Sequence, residues 1–332
     1  MALRIMSHAR AGLEATRGTG VPPTRGIPFT EATHTQTFDH IAPEELRQSY
    51  FGHYTADVGT ERNSFELSGI AGFWNLVWLA NVHIKAVASG TGAGADKTWA
   101  FVPTSATDDL KTATIEYGYA DNIGATRPAW SVAGCIGDTL ALNFDKSPGQ
   151  SGVTFRSTLL SFKAAAQISA FTGAGTYTAE NGGLVKASAT QVYIDAATIG
   201  TTADNDVLSV NWELQSGPQI LYTLNNSTAG VEIVRPNPWS WTARIRRYYR
   251  NNTELNARTA GTVRKIRVRT LGPVLGASNY RLDLDLYGKY SARTLSTADG
   301  LGVEEFTLSP VYDATAATHF SLTLINDQAS IT

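Results

Sequence analysis

Six histidines, one cysteine and a few clustered carboxylates are the side chains of this 332-residue chain best suited to chemistry. His8, His34, His40, His53, His83 and His319 form no H-x-x-x-H pair and no H-E-x-x-H sequence, so two imidazoles do not share a helix face as a zinc site needs. Cys135 stands alone, which excludes an intrachain disulfide and a cysteine-based zinc site and fits a reducing compartment. No G-x-S-x-G nucleophile elbow occurs. Gly90, Gly92 and Gly94 before Lys97–Thr98 have the look of a phosphate loop. However, Asp96 stands where that loop needs Gly, and a strand pattern follows where it needs a helix. The run reads as a hairpin loop.

Asp108–Asp109, Asp283/Asp285 and Glu304–Glu305 could in principle pair as acid and base. Asp283 and Asp285 alternate with Leu282, Leu284 and Leu286, which predicts a solvated strand face with the leucines opposite. Among seven tryptophans, Trp74 and Trp78 share one helix face and read as core. Trp239 and Trp241 share a strand face beside Arg244 and Arg246 and read as core or interface packing rather than a sugar platform. Arg4, His8 and Arg10 interrupt the N-terminus before an apolar h-region can form, so the Asn225, Asn226 and Asn251 sequons carry little weight. The most apolar stretch, 69–88, contains Asn75, Asn81, His83 and Lys85 and reads as buried rather than membrane-spanning. The expectation is a soluble, intracellular, non-catalytic protein without cofactor or metal.

The elements that must position these residues are short strands. Hydrophobic residues make up 42% and charged residues only 17%, with 30 Gly and 12 Pro, a composition for strands and turns rather than long helices. Residues 1–34, broken by Gly and Pro, read as an extended arm. Alternating runs then predict strands at Thr35–Ile41, Val58–Ser68, Thr98–Val102, Ala113–Tyr117, Trp130–Ile136, Thr139–Phe144 and Val153–Phe162. A Gly/Ala/Thr-rich stretch at 171–190 reads as a linker. Beyond it strands are predicted at Val192–Ile194, Val207–Leu214, Trp239–Tyr248, Val263–Thr270, Tyr280–Tyr290, Val303–Leu308 and Phe320–Ile325. Helical spacing appears at Phe73–Val82 and Asn252–Arg258. Both halves run strand, long connection (42–57 and 215–238), strand, short helix, more strands, which points to two modules at 35–170 and 191–332.

Charge is segregated along the chain. Residues 1–234 carry 14 basic against 21 acidic residues, 235–293 carry 13 against three, and 294–332 carry five acidic residues only. Such polarity suits a polyanion or another copy of the chain.

Several stretches share a familiar order: Gly12–Arg25; Ser64–Leu67, Phe73–Leu79 and Trp99–Pro103; Ala129–Leu140 around the Gly134–Cys135 step; Val192–Asp195; Gly302–Leu308 and His319–Asn326. In that order they resemble the tail tube (major tail) proteins of long-tailed bacteriophages, in the larger form with two tube modules per polypeptide. Each motif alone is a short β pattern, and Trp241–Arg269 departs from the family in its richness in Arg. The resemblance implies a mainly β fold of two tandem tail-tube-like β-sandwich/barrel modules, each with a short flanking helix, plus the N-terminal arm. It implies a virion protein made in the host cytoplasm, whose homotrimeric, pseudo-hexameric rings stack into a tube for DNA ejection. Its partners would be itself, a tape measure protein, and tail terminator and distal-tail proteins. The alternatives are another virion structural protein (tail terminator, distal-tail or capsid decoration), a carbohydrate-binding β-sandwich and an enzyme.

On this reading the arm and both long connections seal ring to ring, with Glu14, Arg17, Pro22, Arg25, Glu45, Arg47, Tyr222 and Arg235 as stacking candidates. A lumen that lets DNA slide should be neutral or acidic, because basic side chains would grip phosphate. Glu61, Glu66, Asn211 and Glu213 are its candidates. Arg244, Arg246, Arg247, Arg250, Arg264, Lys265, Arg267 and Arg269 should then face elsewhere. Arg244, Arg246, Arg247, Arg267 and Arg269 are expected as an inter-subunit basic face that meets the acidic half of a neighbour.

Overall fold

The computed structural model describes residues 7–41, 57–103, 110–119, 129–146, 152–172, 182–224, 227–298 and 300–331. Over these residues the chain is mainly β, with nineteen strands and two α-helices. The first half holds β1 (Ser7–Leu13), β2 (Arg25–Gly26), β3 (Glu31–Ile41), β4 (Asp57–Ile70), α1 (Asn75–His83), β5 (Lys97–Phe101), β6 (Ala113–Tyr119), β7 (Ala129–Asp145), β8 (Thr154–Ser161) and β9 (Ala166–Ile168). The second holds β10 (Thr190–Asp195), β11 (Ala203–Asp204), β12 (Val207–Gln215), β13 (Gln219–Leu221), β14 (Glu232–Val234), β15 (Ser240–Tyr248), α2 (Thr253–Thr259), β16 (Arg264–Leu275), β17 (Ser278–Ala298), β18 (Leu301–Pro310) and β19 (Phe320–Asn326).

Pairing is antiparallel throughout and builds two layers. One layer is an eight-strand sheet in the order β3–β4–β8–β7–β12–β15–β18–β17. The other consists of the runs β2–β1–β6–β7–β9 and β10–β16–β17–β19–β5. β7 and β17 belong to both layers, so each must turn between them along its length. In β7 the turn is made by two register shifts and by Gly134, whose φ of +67° is left-handed. A Cβ on Gly134 would also meet the Phe162 ring at 2.5 Å. β17 shifts register between Tyr290 and Ala292.

Between the layers lies one hydrophobic core. Phe65, Leu67, Leu140, Leu142, Trp212, Leu214 and Ile245 from the eight-strand sheet join Ala9, Ile115, Val268, Leu284 and Phe320 from the other layer. Every residue of α1 is buried, the polar Asn75, Asn81 and His83 along with the apolar ones. Asn81 satisfies backbone at its end, donating to Val77 O and accepting from Val87 N. Trp78 is core, as expected.

Four expectations need correction. Residues 7–13 of the expected arm are a strand paired along its whole length with β6. The separate strands at Trp130–Ile136 and Thr139–Phe144 are one bent strand of 17 residues. Part of the expected linker is structural: Val185 is fully buried, donates to Ala71 O and accepts from Val153 N. Residues 173–181 of that linker lie outside the described residues, as do 42–56 with Glu45 and Arg47, Asp108–Asp109, and the sequon residues Asn225 and Asn226. Fourth, Asp283 and Asp285 are buried rather than solvated, because Arg269 and Arg267 grip them with paired bonds of 2.7 and 3.1 Å and of 2.6 and 2.6 Å.

Candidate assembly surface

Alternation gives each strand of the eight-strand sheet one apolar face, turned to the core, and one polar face. The polar face carries Thr33 and Thr35 of β3, Ser64 and Glu66 of β4, Arg156 and Thr158 of β8, Thr139 and Asn143 of β7, Asn211 and Glu213 of β12, Thr242, Arg244 and Arg246 of β15, and Glu305 and Thr307 of β18. It is hollowed: a trough of about 610 Å³ crosses β4, β8, β7, β12 and β15, lined among others by Arg156, Asn143, Asn211, Glu213, Thr242 and Arg244.

Three of the four lumen candidates, Glu66, Asn211 and Glu213, share this face. Glu61 does not. It sits an odd number of residues from Glu66, on the core side, where its Oε1 accepts from Gln36, Asn63 and Ala165 N at 2.7–2.8 Å.

The basic candidates fall in three places, contrary to a single basic face. Arg244 and Arg246 lie on the polar face itself, Arg244 opposite Asn211 and Thr307, Arg246 opposite Ser209 and Glu305. The expectation that they face away from the lumen candidates is therefore overturned. Arg247 is buried and bonded to Asp204 at 2.7 Å. Arg267 and Arg269 lie in the other layer with Asp285 and Asp283. The Asp285 carboxylate pushes the Arg267 pKa up. Arg250–Asp206, Arg264–Glu254, Lys265–Asp313 and Arg293–Glu304 add bonds of 2.6–2.9 Å. Eight of the 13 basic residues of the positive segment thus meet acids of the same chain.

The stacking candidates are also tied within the chain. Glu14 is buried and accepts from Thr112, Thr114, Gly18 N and Gly134 N at 2.6–2.9 Å. Arg17 donates to Ile233 O, Arg25 to Asn75 Oδ1 beside the Trp74 ring, and Tyr222 to Glu61 O. Arg235 stacks 3.4 Å over Trp239, while Pro22 is exposed. Two residues of the connection after β12 pack within the single chain: Ile220 and Ile233 lie on Phe162, Ile136 and Leu110 of the first half. The tip of the connection still leaves Leu221, Leu224 and Val231 exposed, next to Val58 at the start of β4.

The features that sequence reasoning missed are the sheet's two ends. β3 pairs with β4 on one side, and the 291–298 portion of β17 pairs with β18 on one side. Among the described residues neither has a strand on its other side. Leu295, an apolar residue amid Thr and Ser, is 60% exposed there, and that isolated leucine was the available signal. No family model and no curated protein sequence matches the chain.

Proposed function

We propose that this chain is a structural subunit that closes into rings and stacks into a tube, in the manner of the phage tail tube proteins it resembles. One observation carries the reading: the eight-strand sheet, with its polar, hollowed face, ends among the described residues in two open strands. A long open edge left in water is a liability for random association, and closure into a barrel removes it.

The strand orders support two copies of one module. β3–β4–β8–β7 is followed by β12–β15–β18–β17 in the same sheet, and β1–β6–β7–β9 is matched by β10–β16–β17–β19 in the other layer. α1 follows β4 as α2 follows β15. We read these as modules within 35–170 and 191–332, with β1 contributed to the first from the preceding segment. Six modules around an axis then require three chains, a closed cyclic arrangement. The hollow polar face becomes the channel wall. On it Arg244 and Arg246 are interspersed with Glu213 and Glu305, and Arg156 pairs with Glu66 at 3.3 Å, so charge of both signs lines the path of DNA. A virion location, tape-measure and terminator partners, and the absence of catalysis follow from the same reading.

Negative-stain imaging and sedimentation of the purified chain at rising concentration test it. Three-chain rings or striated tubes are expected. A chain that stays monomeric at all concentrations, or rings of six whole chains, would refute the proposal.

A further inference from the structure

The eight-strand sheet contains one complete joint between the two halves, β7 with β12, and its two open strands are the halves of a second. Resting on the ring reading, we infer that β17 of one copy pairs antiparallel with β3 of a second copy in one particular register, with Leu295 set against His34.

The register follows from aligning the two sets of strands through their own irregularities. β7 skips a residue between Gly137, opposite Leu159, and Thr139, opposite Thr158. β17 skips between Tyr290, opposite Leu308, and Ala292, opposite Thr307. Thr139 therefore matches Ala292, Leu140 matches Arg293, and Leu142 matches Leu295. Continuing across the sheet, Leu159 faces Phe65, which faces His34. Leu308 faces Ala243, which faces Trp212. His34 thus matches Trp212. Within the chain Trp212 is paired with Leu142, in a run from Ser209 opposite Asp145 to Gln215 opposite Thr139. Transferred to two copies, the run becomes Glu31 opposite Ala298, Thr33 opposite Ser296, His34 opposite Leu295, Thr35 opposite Thr294 and Thr37 opposite Ala292.

Burial agrees with this assignment. Leu142 is 1% exposed in its joint, while its counterpart Leu295 is 60% exposed at the open edge. Trp212 is likewise 1% exposed. His34 is half-buried, stacked on Phe65 with ring centroids 4.5 Å apart, which leaves its edge for a neighbour to cover. Side chains facing the core then alternate with polar ones toward the channel on both strands, as a shared sheet demands.

The second joint is also the more polar one. Leu140, Leu142 and Phe144 meet Leu214, Trp212 and Val210 respectively inside the chain, whereas Arg293, Leu295 and Thr297 would meet Gln36, His34 and Ala32. Arg293 is held by Glu304 at 2.8 Å. An inward-pointing charge on an edge strand discourages indiscriminate pairing. The joint between chains is therefore weaker than the one within them, and the single chain is kept soluble until copies are concentrated.

Paired cysteines read the register. Directly opposed Cα atoms on antiparallel strands lie about 4.5–5.5 Å apart, within disulfide reach. The chain's own Cys135 is fully buried and contributes little background. Thr35→Cys with Thr294→Cys, oxidised under assembly conditions, should give a covalent ladder that ends at three chains. Thr35→Cys with Ser296→Cys, slipped by two residues, should give about tenfold less. Leu295→Asp should lower the ring population by tenfold or more with an unchanged melting temperature, as the side chain is exposed in the single chain. Rings by microscopy with equal or stronger linkage in the slipped pair would overturn the register and leave the ring reading standing. A chain monomeric by sedimentation, with neither pair linked, would overturn both.

Discussion

His83 offers a quantitative test of the joint between α1 and the turn in β7. It closes α1, fully buried, with Nε2 2.8 Å from Ser157 Oγ of β8. Its ring lies where a Cβ on Gly137 would sit, 2.2 Å from Nδ1. Nδ1 has no hydrogen-bond partner among the described residues. Burial pushes the imidazole pKa down from 6.5 to about 3, because a charged ring there would lose its hydration without a compensating anion. The unfolded chain takes up this proton near pH 6.5 and the folded chain only near pH 3. Stability from this group is therefore complete above pH 6.5 and is lost progressively as pH falls toward 3. Integrated between pH 7 and pH 5, the loss is about 2 kcal/mol. Urea unfolding of the parent and of His83→Gln at both pH values isolates it. Glutamine can keep a bond to Ser157 but does not titrate, and the contributions of His8, His34 and His319 are common to both proteins. The parent should lose about 2 kcal/mol more than the variant between pH 7 and pH 5. Equal losses would mean that His83 is protonated in the folded state, and would refute the dry, uncharged packing of α1 on the β7 turn.

Two further outcomes follow from the charge network and the exposed rim. Glu304 is fully buried between Arg247 and Arg293, so Glu304→Gln should cost about 3–5 kcal/mol in urea unfolding by leaving buried guanidinium charge uncompensated. Leu224, at the tip of the connection after β12, is fully exposed. On the tube reading Leu224→Asp should leave rings and melting temperature unchanged while shortening or abolishing tubes in negative stain.

The positive segment shows how far linear charge counts can mislead. Its arginines meet Asp204 and Asp206 from before the segment, Glu254, Asp283 and Asp285 within it, and Glu304 after it, while Lys265 meets Asp313. Those acids are brought to the segment by strand register, so a count along the chain sees a block where the folded molecule pairs most of its cations with acids. Buried pairs of this kind fix geometry more than they add stability.

Local alternation was enough to place most strands, because the face a side chain takes depends only on its immediate neighbours. Val210, Trp212 and Leu214 point inward and Asn211 and Glu213 outward, as the sequence alone requires. The same rule, applied strictly, would have separated Glu61 from Glu66 and set Arg244 and Arg246 beside the polar residues of β12. Helical spacing located α1, and the lone cysteine, scattered histidines and failed phosphate loop argued against the catalytic motifs they might have formed. Pairing partners were another matter. That β7 leaves one layer for the other at Gly134, that β12 docks on β7, and that β3 and the end of β17 are left open all depend on contacts between residues tens to hundreds of positions apart. Such contacts are selected by the burial of a whole core, in which Leu142 finds Trp212 while Leu295, opposite Glu304 on one side, has no strand on its other side among the described residues. Tertiary structure alone decides which strand becomes an edge, since an edge is defined by the neighbour it lacks.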